Sequence, residues 1–280
     1  MAVKTFTGAK MPEGADTLIP IENVTVGAGA IRIDEAVKEG FSVRPVGESY
    51  FKGEILIPKG TKIGYAEIGV MAGLNRVMIP VARRPRVGVL STGSEILDLG
   101  ESARNDSQIR SSNNYTLAAL AQSAGAEAVQ LGTAEDDRKS ITEAFENALS
   151  CSDIVVSTGG VSVGDYDFVK DVVPALGATV VYKGVRIKPG QHIMVAQRGS
   201  QFILALPGFA YSSTVTFILY ALPLIRRMLG RDPGHTVVEA TLAEPVLTNM
   251  LEDAALMITD ESDGPLDAGT VVRVLRLDRL

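Results

Sequence analysis

The 280-residue sequence contains no tryptophan, one cysteine and two histidines, and aromatic residues make up only 5% of it. The lone Cys151 excludes an internal disulfide and fits a reducing compartment. It ends an amphipathic helical stretch, the place of a packed structural thiol rather than a nucleophile. His192 and His235 stand apart with no second ligand at metal spacing, and no Ser/His/Asp or Cys/His catalytic set is legible. Positive charge is also scarce. Lys and Arg number 27 against 33 Asp and Glu, a formal charge of −6 that argues against a nucleic-acid partner. The most apolar stretch, Phe209–Ile225, is short for a bilayer span and carries Ser212, Ser213, Thr214, Thr216 and Pro223, so it reads as a buried helix and not a membrane segment. Met1–Lys10 holds no apolar core of the length a secretory signal needs, and a cytoplasmic location is expected.

What is present falls into three zones. Residues 1–84 set short apolar runs between Gly and Pro (Thr17–Pro20, Ala30–Ile33, Glu54–Pro58 and Val77–Val81), which predicts a β-rich module with a helix at Ala66–Leu74. Residues 85–230 alternate strand and helix signals. Strands are expected at Arg86–Ser91, Ala128–Leu131, Ser152–Ser157, Thr179–Tyr182, Ile193–Ala196 and Phe202–Leu206. Helices are expected at Asn114–Ala124, Asp136–Ser150, Tyr166–Leu176 and about Ala210–Leu229. In Asp136–Ser150 the apolar residues Ile141, Ala144, Phe145, Ala148 and Leu149 follow the helical period. Such alternation predicts an α/β fold with a doubly wound, mostly parallel sheet, whose ligands sit beyond the carboxyl ends of the strands. Residues 231–280 carry β-type runs at Val237–Leu242, Ala254–Asp260 and Val271–Leu275 and predict a small β domain.

Chemistry is therefore sought in the strand-to-helix loops. After Ser157 comes Thr158-Gly159-Gly160-Val161-Ser162-Val163-Gly164-Asp165-Tyr166-Asp167. Paired glycines let the backbone approach a ligand, a following helix offers free N–H groups to an anion, and Ser162 adds a hydroxyl. Asp165 and Asp167 would repel a bare phosphate and make sense beside a hard cation such as Mg²⁺; the alternative is a glycine turn with Asp caps. Pro207-Gly208 opens the long helix with Ser212 in its first turn, either an anion seat or a strand stop with a Ser cap. Lys188-Pro189-Gly190 places a lysine beside a tight turn, where a solvated lysine is the default. Ser91-Thr92-Gly93-Ser94-Glu95 and Asp136-Asp137 follow two further strands. Gathered at one edge, Glu95, Asp136 and Asp167 would make an acidic, metal-dependent site.

These loops together resemble the molybdopterin molybdenumtransferase family, to which the gephyrin E domain is related. The resemblance rests on Thr7-Gly8-Ala9, Pro12-Glu13-Gly14-Ala15-Asp16, Pro58-Lys59-Gly60-Thr61, Ser91-Thr92-Gly93 with Glu95, Asp136-Asp137, Ser157–Asp167, Lys188-Pro189-Gly190 and Leu206-Pro207-Gly208, all in the family's order. It implies a β-rich domain, a central molybdopterin-binding α/β domain, a C-terminal β domain and a homodimer. It also implies a reaction in which adenylylated molybdopterin and molybdate meet with Mg²⁺, AMP leaves, and molybdenum stays on the dithiolene. A molybdopterin adenylyltransferase or a molybdoenzyme is the partner it implies. By position, Glu95, Asp136 and Asp167 would bind the metal, Lys188 would hold anionic groups, and Thr7 would belong to a cross-domain site. Thr92, Gly93, Ser157, Gly159, Gly160, Val161, Ser162, Gly164, Asp165, Pro189, Gly190, Pro207, Gly208 and Ser212 would seat the ligand.

The chain departs from the family at several of these places. It begins after the family's usual N-terminal portion; Ser94 stands where Asp is common, Ser49 where the motif Gly-Glu-Asp ends, and Gly184 and Gln191 where lysines are expected. Phe209-Ala210 replaces the usual Asn-Pro. Intact glycine loops with fewer acidic and basic groups leave a second reading open, a non-catalytic molybdopterin carrier or sensor. A nucleotide-pyrophosphate hydrolase, built on a related central domain, is a third.

Overall fold

The computed structural model describes residues 2–161, 167–241, 255–258 and 269–276. Two compact units are present, one made of Met1–Pro58 and Gly64–Gly73, the other of Lys59–Ile63 and Leu74–Leu280.

The first unit pairs β1 (Val24–Gly27) with β2 (Ala30–Ile33) in an antiparallel hairpin and carries the helix α1 (Tyr65–Gly73). The Ala30–Ile33 strand and the helix agree with the sequence to within a residue. Thr17–Pro20 and Glu54–Pro58 are not strands, and in the second unit neither is Val77–Val81. An apolar run becomes a strand only when a ladder partner accepts it, and these segments have turns and prolines on both sides instead. No residue from 2 to 84 is buried, which is why alternating burial gave no guide here.

The second unit is built on a six-stranded sheet. Its strands are β3 (Arg86–Thr92), β6 (Glu127–Ala134), β7 (Ile154–Thr158), β8 (Thr179–Lys183), β9 (Met194–Arg198) and β10 (Gln201–Leu206), in the order β6-β3-β7-β10-β9-β8. The first four run parallel, and only β9 is reversed, paired antiparallel to both neighbours. A short ladder, β4 (Ile96–Leu97) with β5 (Ile109–Arg110), lies between β3 and the next helix.

Helices cover both faces, as the doubly wound reading requires. Val87, Val89, Ile154, Val156, Leu204 and Leu206 point to one face, where they bury against Leu117 and Ala121 of α2 (Asn113–Ser123) and Leu222 and Ile225 of α6 (Leu222–Met228). The residues between them, Leu90, Val155, Ile203 and Ala205, point the other way onto Ile141 and Phe145 of α3 (Arg138–Cys151) and Val169 and Val172 of α4 (Val169–Ala175). The alternation of strand side chains is thus spent on two cores, and each large side chain in them contributes about 1.5–3 kcal/mol. α3 starts where it does because Asp137 caps it, accepting from the amides of Lys139 and Ser140 at 2.9 Å each. The long apolar helix is α5 (Ala210–Thr216) continued through a π segment, Phe217–Ala221, into α6. Beyond it, β11 (Val237–Thr241), β12 (Ala255–Ile258) and β13 (Val271–Arg276) form an antiparallel sheet in the order β11-β13-β12, in line with the β-type runs of the sequence.

Candidate functional site

Because β3, β6, β7 and β10 are parallel and adjacent, their carboxyl ends lie at one edge, and so do the loops that follow them. That edge receives Gly93-Ser94-Glu95, Asp136-Asp137, Gly159-Gly160-Val161 and Pro207-Gly208. Ser162, Gly164 and Asp165, named above as ligand groups, lie outside the described residues.

Neighbouring loops are joined in pairs. The Gly93 amide donates to Ala134 O at 3.1 Å, and Ser94 and Asp136 exchange hydrogen bonds. The Gly159 amide donates to Leu206 O at 3.1 Å, tying the β7 loop to the end of β10. Gly159 has φ +93°, and a side chain there would bring Cβ to 2.6 Å from Thr92 O and 2.9 Å from Thr92 Oγ1. Only glycine fits. Gly208, in ordinary backbone conformation, would place a Cβ 3.7 Å from Gly159 Cα, so these two loops approach each other with no side chain between them. Val161 packs onto the α3/α4 core, and Gly160 sits against Val169.

Beneath the loops the strand ends are polar and buried: Ser91, Thr92, Ser157 and Thr158 are each 5% exposed or less. Ser91 Oγ donates to Asn114 Oδ1 at 2.7 Å and lies 3.0 Å from Thr158 Oγ1, while Thr92 Oγ1 donates to Thr158 O at 3.4 Å. Ser157 Oγ, at the root of the glycine loop, is buried and has no hydrogen-bond partner among the described residues. The helix side of this network, Asn113 and Asn114, was not singled out by the sequence. Its signal was two successive asparagines opening a helix, residues better suited to caps than to a helix interior.

Glu95 is exposed and its carboxylate folds back over its own turn, against Gly93. Asp136 and Asp167 are half-buried at the same edge. Among the described residues no three His, Cys, Asp or Glu side chains gather closely enough to hold a metal ion. Asp137 is occupied as the α3 cap; the Ser140 hydroxyl, and then its amide, hold the carboxyl below the usual range. Lys188 is exposed on the loop from β8 to β9, preceding a cis peptide to Pro189. Gly190 packs that loop against Thr216 and the carbonyl of Ser212 in α5. β8 itself runs in the same direction as β10, so the Lys188 loop leaves its carboxyl end, on the same side of the sheet as the four loops. Near that end Tyr182 and Tyr220 face each other with ring centroids 6.1 Å apart. Burial pushes the Tyr182 hydroxyl up to about 12, so this pair supplies neutral rings and no anion. At the opposite edge of the sheet a cavity of about 600 Å³ opens between Glu146, Ser150, Arg198 and Gln201. None of the loop groups borders it.

Comparison with known proteins gives the family of the chain. The family model described as "Probable molybdopterin binding domain" matches residues 88–227, half of the chain, and that of the "MoeA N-terminal region (domain I and II)" matches 1–74. A molybdopterin molybdenumtransferase of Nostoc sp. is 36% identical over 83% of this chain and 54% of its own length. One of Bacillus subtilis is 32% identical over 88% of this chain and 57% of its own. The chain thus spans a little over half the length of these relatives. Among solved structures, a molybdopterin biosynthesis MoeA protein from Pyrococcus horikosii superposes with a TM-score of 0.84 at 27% identity, over 98% of this chain and 75% of that one. Four glycine- and acid-bearing loops at one edge of a doubly wound sheet, a domain match centred on them and relatives of one kind place the chain in the molybdopterin molybdenumtransferase (MoeA) family.

Proposed function

We propose that this chain inserts molybdenum into molybdopterin, taking adenylylated molybdopterin and molybdate and releasing AMP. The observation that carries the reading is the close approach of Gly159 and Gly208, two loops in near-contact with no side chain on either, so that bare backbone faces outward from the sheet edge. A flat ring and a pyrophosphate can approach the backbone closely only where side chains are absent, and glycine loops provide that approach. The buried Ser157 Oγ at the root of the same loop, without a hydrogen-bond partner among the described residues, is a hydroxyl that a polar ligand could engage.

In this reading Lys188 offsets the repulsion between the anions, and Glu95, Asp136 and Asp167 are the carboxylates proposed to meet a divalent cation. The absence of a three-residue metal cluster among the described residues is compatible with Mg²⁺, which is commonly held by one or two carboxylates together with substrate phosphates and water. Bound there, the cation would neutralise phosphate charge as the adenylyl group departs. A homodimer belongs to the same proposal. The first unit has no buried residue, and Phe6, Phe51 and Tyr65 are 79%, 72% and 93% exposed, apolar surface of the kind that association covers. A cytoplasmic setting is supported by the single, unpaired Cys151. No helix among the described residues is long and apolar enough to cross a membrane.

The test is to incubate the purified protein with adenylylated molybdopterin, molybdate and Mg²⁺, following AMP release and the pterin retained. AMP release that needs molybdate and is lost in Asp167→Ala is the expected result. Pterin retained without AMP release would replace the transferase with a carrier, and neither signal would remove the ligand itself.

A further inference from the structure

Two adjacent side chains at the start of α2 bond to β3, to β6 and to the loop after β10, and are linked through Ser91 to β7. Asn114, 2% exposed, accepts from Ser91 Oγ of β3 through Oδ1 at 2.7 Å and donates through Nδ2 to Gly132 O of β6 at 3.0 Å. The proton of Ser91 goes to Asn114, so Thr158 must be the donor in the 3.0 Å contact between the two hydroxyls, which extends the chain of bonds to β7. Gly132 lies where β6 carries an extra residue opposite β3: Val89 pairs with Gln130 but Ser91 with Thr133. Such a bulge leaves a backbone group without its ladder partner, and Asn114 supplies one. The neighbouring Asn113 donates through Nδ2 to Gly208 O at 2.8 Å, fixing the loop after β10.

Each bond alone would be ordinary. Together they hold, from one helical turn, the ends of the four strands whose loops form the site. We propose that Asn113 and Asn114 are positioning residues for molybdopterin: through them α2 sets the spacing of the Gly159 and Gly208 loops. Asn114 does so beneath the β7 loop and Asn113 directly at Gly208. The inference rests on the molybdopterin reading of the site and adds two residues to it. Neither residue touches reacting atoms; they act through the loops they hold.

Asn113 is the one to change, because it is only half-buried and its loss leaves the core intact. The comparison uses the full chain as Asn113→Ala and Asn113→Asp, with Ser112→Ala, an exposed neighbour that makes no capping bond, as control. Two things are measured at matched melting temperature: amide hydrogen exchange at 159–161 and 207–210 without ligand, and molybdopterin retained from a fixed supply. Asn113→Ala should melt within about 2 °C of wild type. Its loop amides should exchange faster, and it should retain pterin about three- to tenfold more weakly, the range one neutral hydrogen bond commands. Asn113→Asp, which turns an acceptor toward Gly208 O, should be worse, and Ser112→Ala should match wild type. Unchanged exchange, or faster exchange with unchanged retention, overturns the proposal. Should wild type itself retain no pterin, the functional reading falls, and exchange alone decides whether Asn113 holds the loops.

Discussion

The amide of Ser94 donates to Asp136 Oδ2 and the amide of Asp136 donates to Ser94 Oγ, both at 3.1 Å, so the loops after β3 and β6 are clasped by a reciprocal pair. The clasp uses a neutral hydroxyl at a position where the family commonly carries a carboxylate. Replacing Ser94 by aspartate keeps an acceptor for the Asp136 amide but sets a second negative charge beside Asp136. Like charges at this range raise one carboxyl's pKa and attract a divalent cation. Ser94→Asp should therefore melt lower than wild type without metal and recover with millimolar MgCl₂, while wild type responds less. Thermal melts with and without the salt decide it, and an equal response of the two proteins would refute the expectation.

Gly159 and Gly208 face each other but should tolerate substitution differently. Gly159→Ala forces a left-handed backbone on alanine and drives Cβ to 2.6 Å from a main-chain oxygen, so it should lose at least about 1–3 kcal/mol of stability in urea unfolding. Gly208→Ala meets only an ordinary 3.7 Å contact and should unfold like wild type. It should nevertheless retain less molybdopterin, because its methyl covers backbone that the ligand is proposed to approach. A Gly208→Ala protein with undiminished retention would move the ligand elsewhere.

At the amino ends of the strands Asp153 binds Arg83 through both oxygens, at 2.7 and 2.9 Å, and accepts the Arg86 amide at 2.7 Å. The Arg83 hydrogen bonds hold the Asp153 carboxyl below the usual range, against the cost of partial burial. A carboxyl depressed in the folded state contributes stability above its unfolded pKa of about 3.9 and loses it as pH falls through the lower folded value. Asp153→Asn should therefore be less stable than wild type at neutral pH, by about 1 kcal/mol because Arg83 is largely exposed. The difference should shrink in acid. Urea melts across that window measure it, and a difference that persists at the lowest pH would point to packing rather than charge.

Phe145 is fully buried between α3 and the sheet, and it sets the scale for the core. Phe145→Ala should cost about 3–5 kcal/mol, with its effect on pterin retention appearing only where the protein is partly unfolded.

The sequence made the central sheet legible because its strands are buried on both faces and its helices on one. The runs Val87–Leu90 and Ile203–Leu206 have no polar interruption, and α3 repeats its apolar residues on one stripe. Direction was not legible. The run Ile193–Ala196 is as apolar as the parallel strands, and nothing in it distinguishes a reversed strand from a parallel one; the two-residue connection Gly199-Ser200, too short for a crossover, was the available sign. Three of the four N-terminal runs failed for the opposite reason. Runs such as Glu54–Pro58 have no buried face, so hydrophobicity there reports neither pairing nor core. The glycine loops could be located from the sequence because glycine advertises itself, whereas the clamp at Asn113 and Asn114 exists only through partners between 18 and 95 residues away.

The π segment Phe217–Ala221 means that the last long helix of the α/β unit carries one residue more than its rise requires. Both flanks still bury their inward faces, Ser213 and Thr216 before it and Leu222 and Ile225 after it. The extra residue is thus an insertion that the helix has absorbed locally, like slack taken up in a single loop of rope. Deleting one residue within that turn would return it to an ordinary helix with both ends in register.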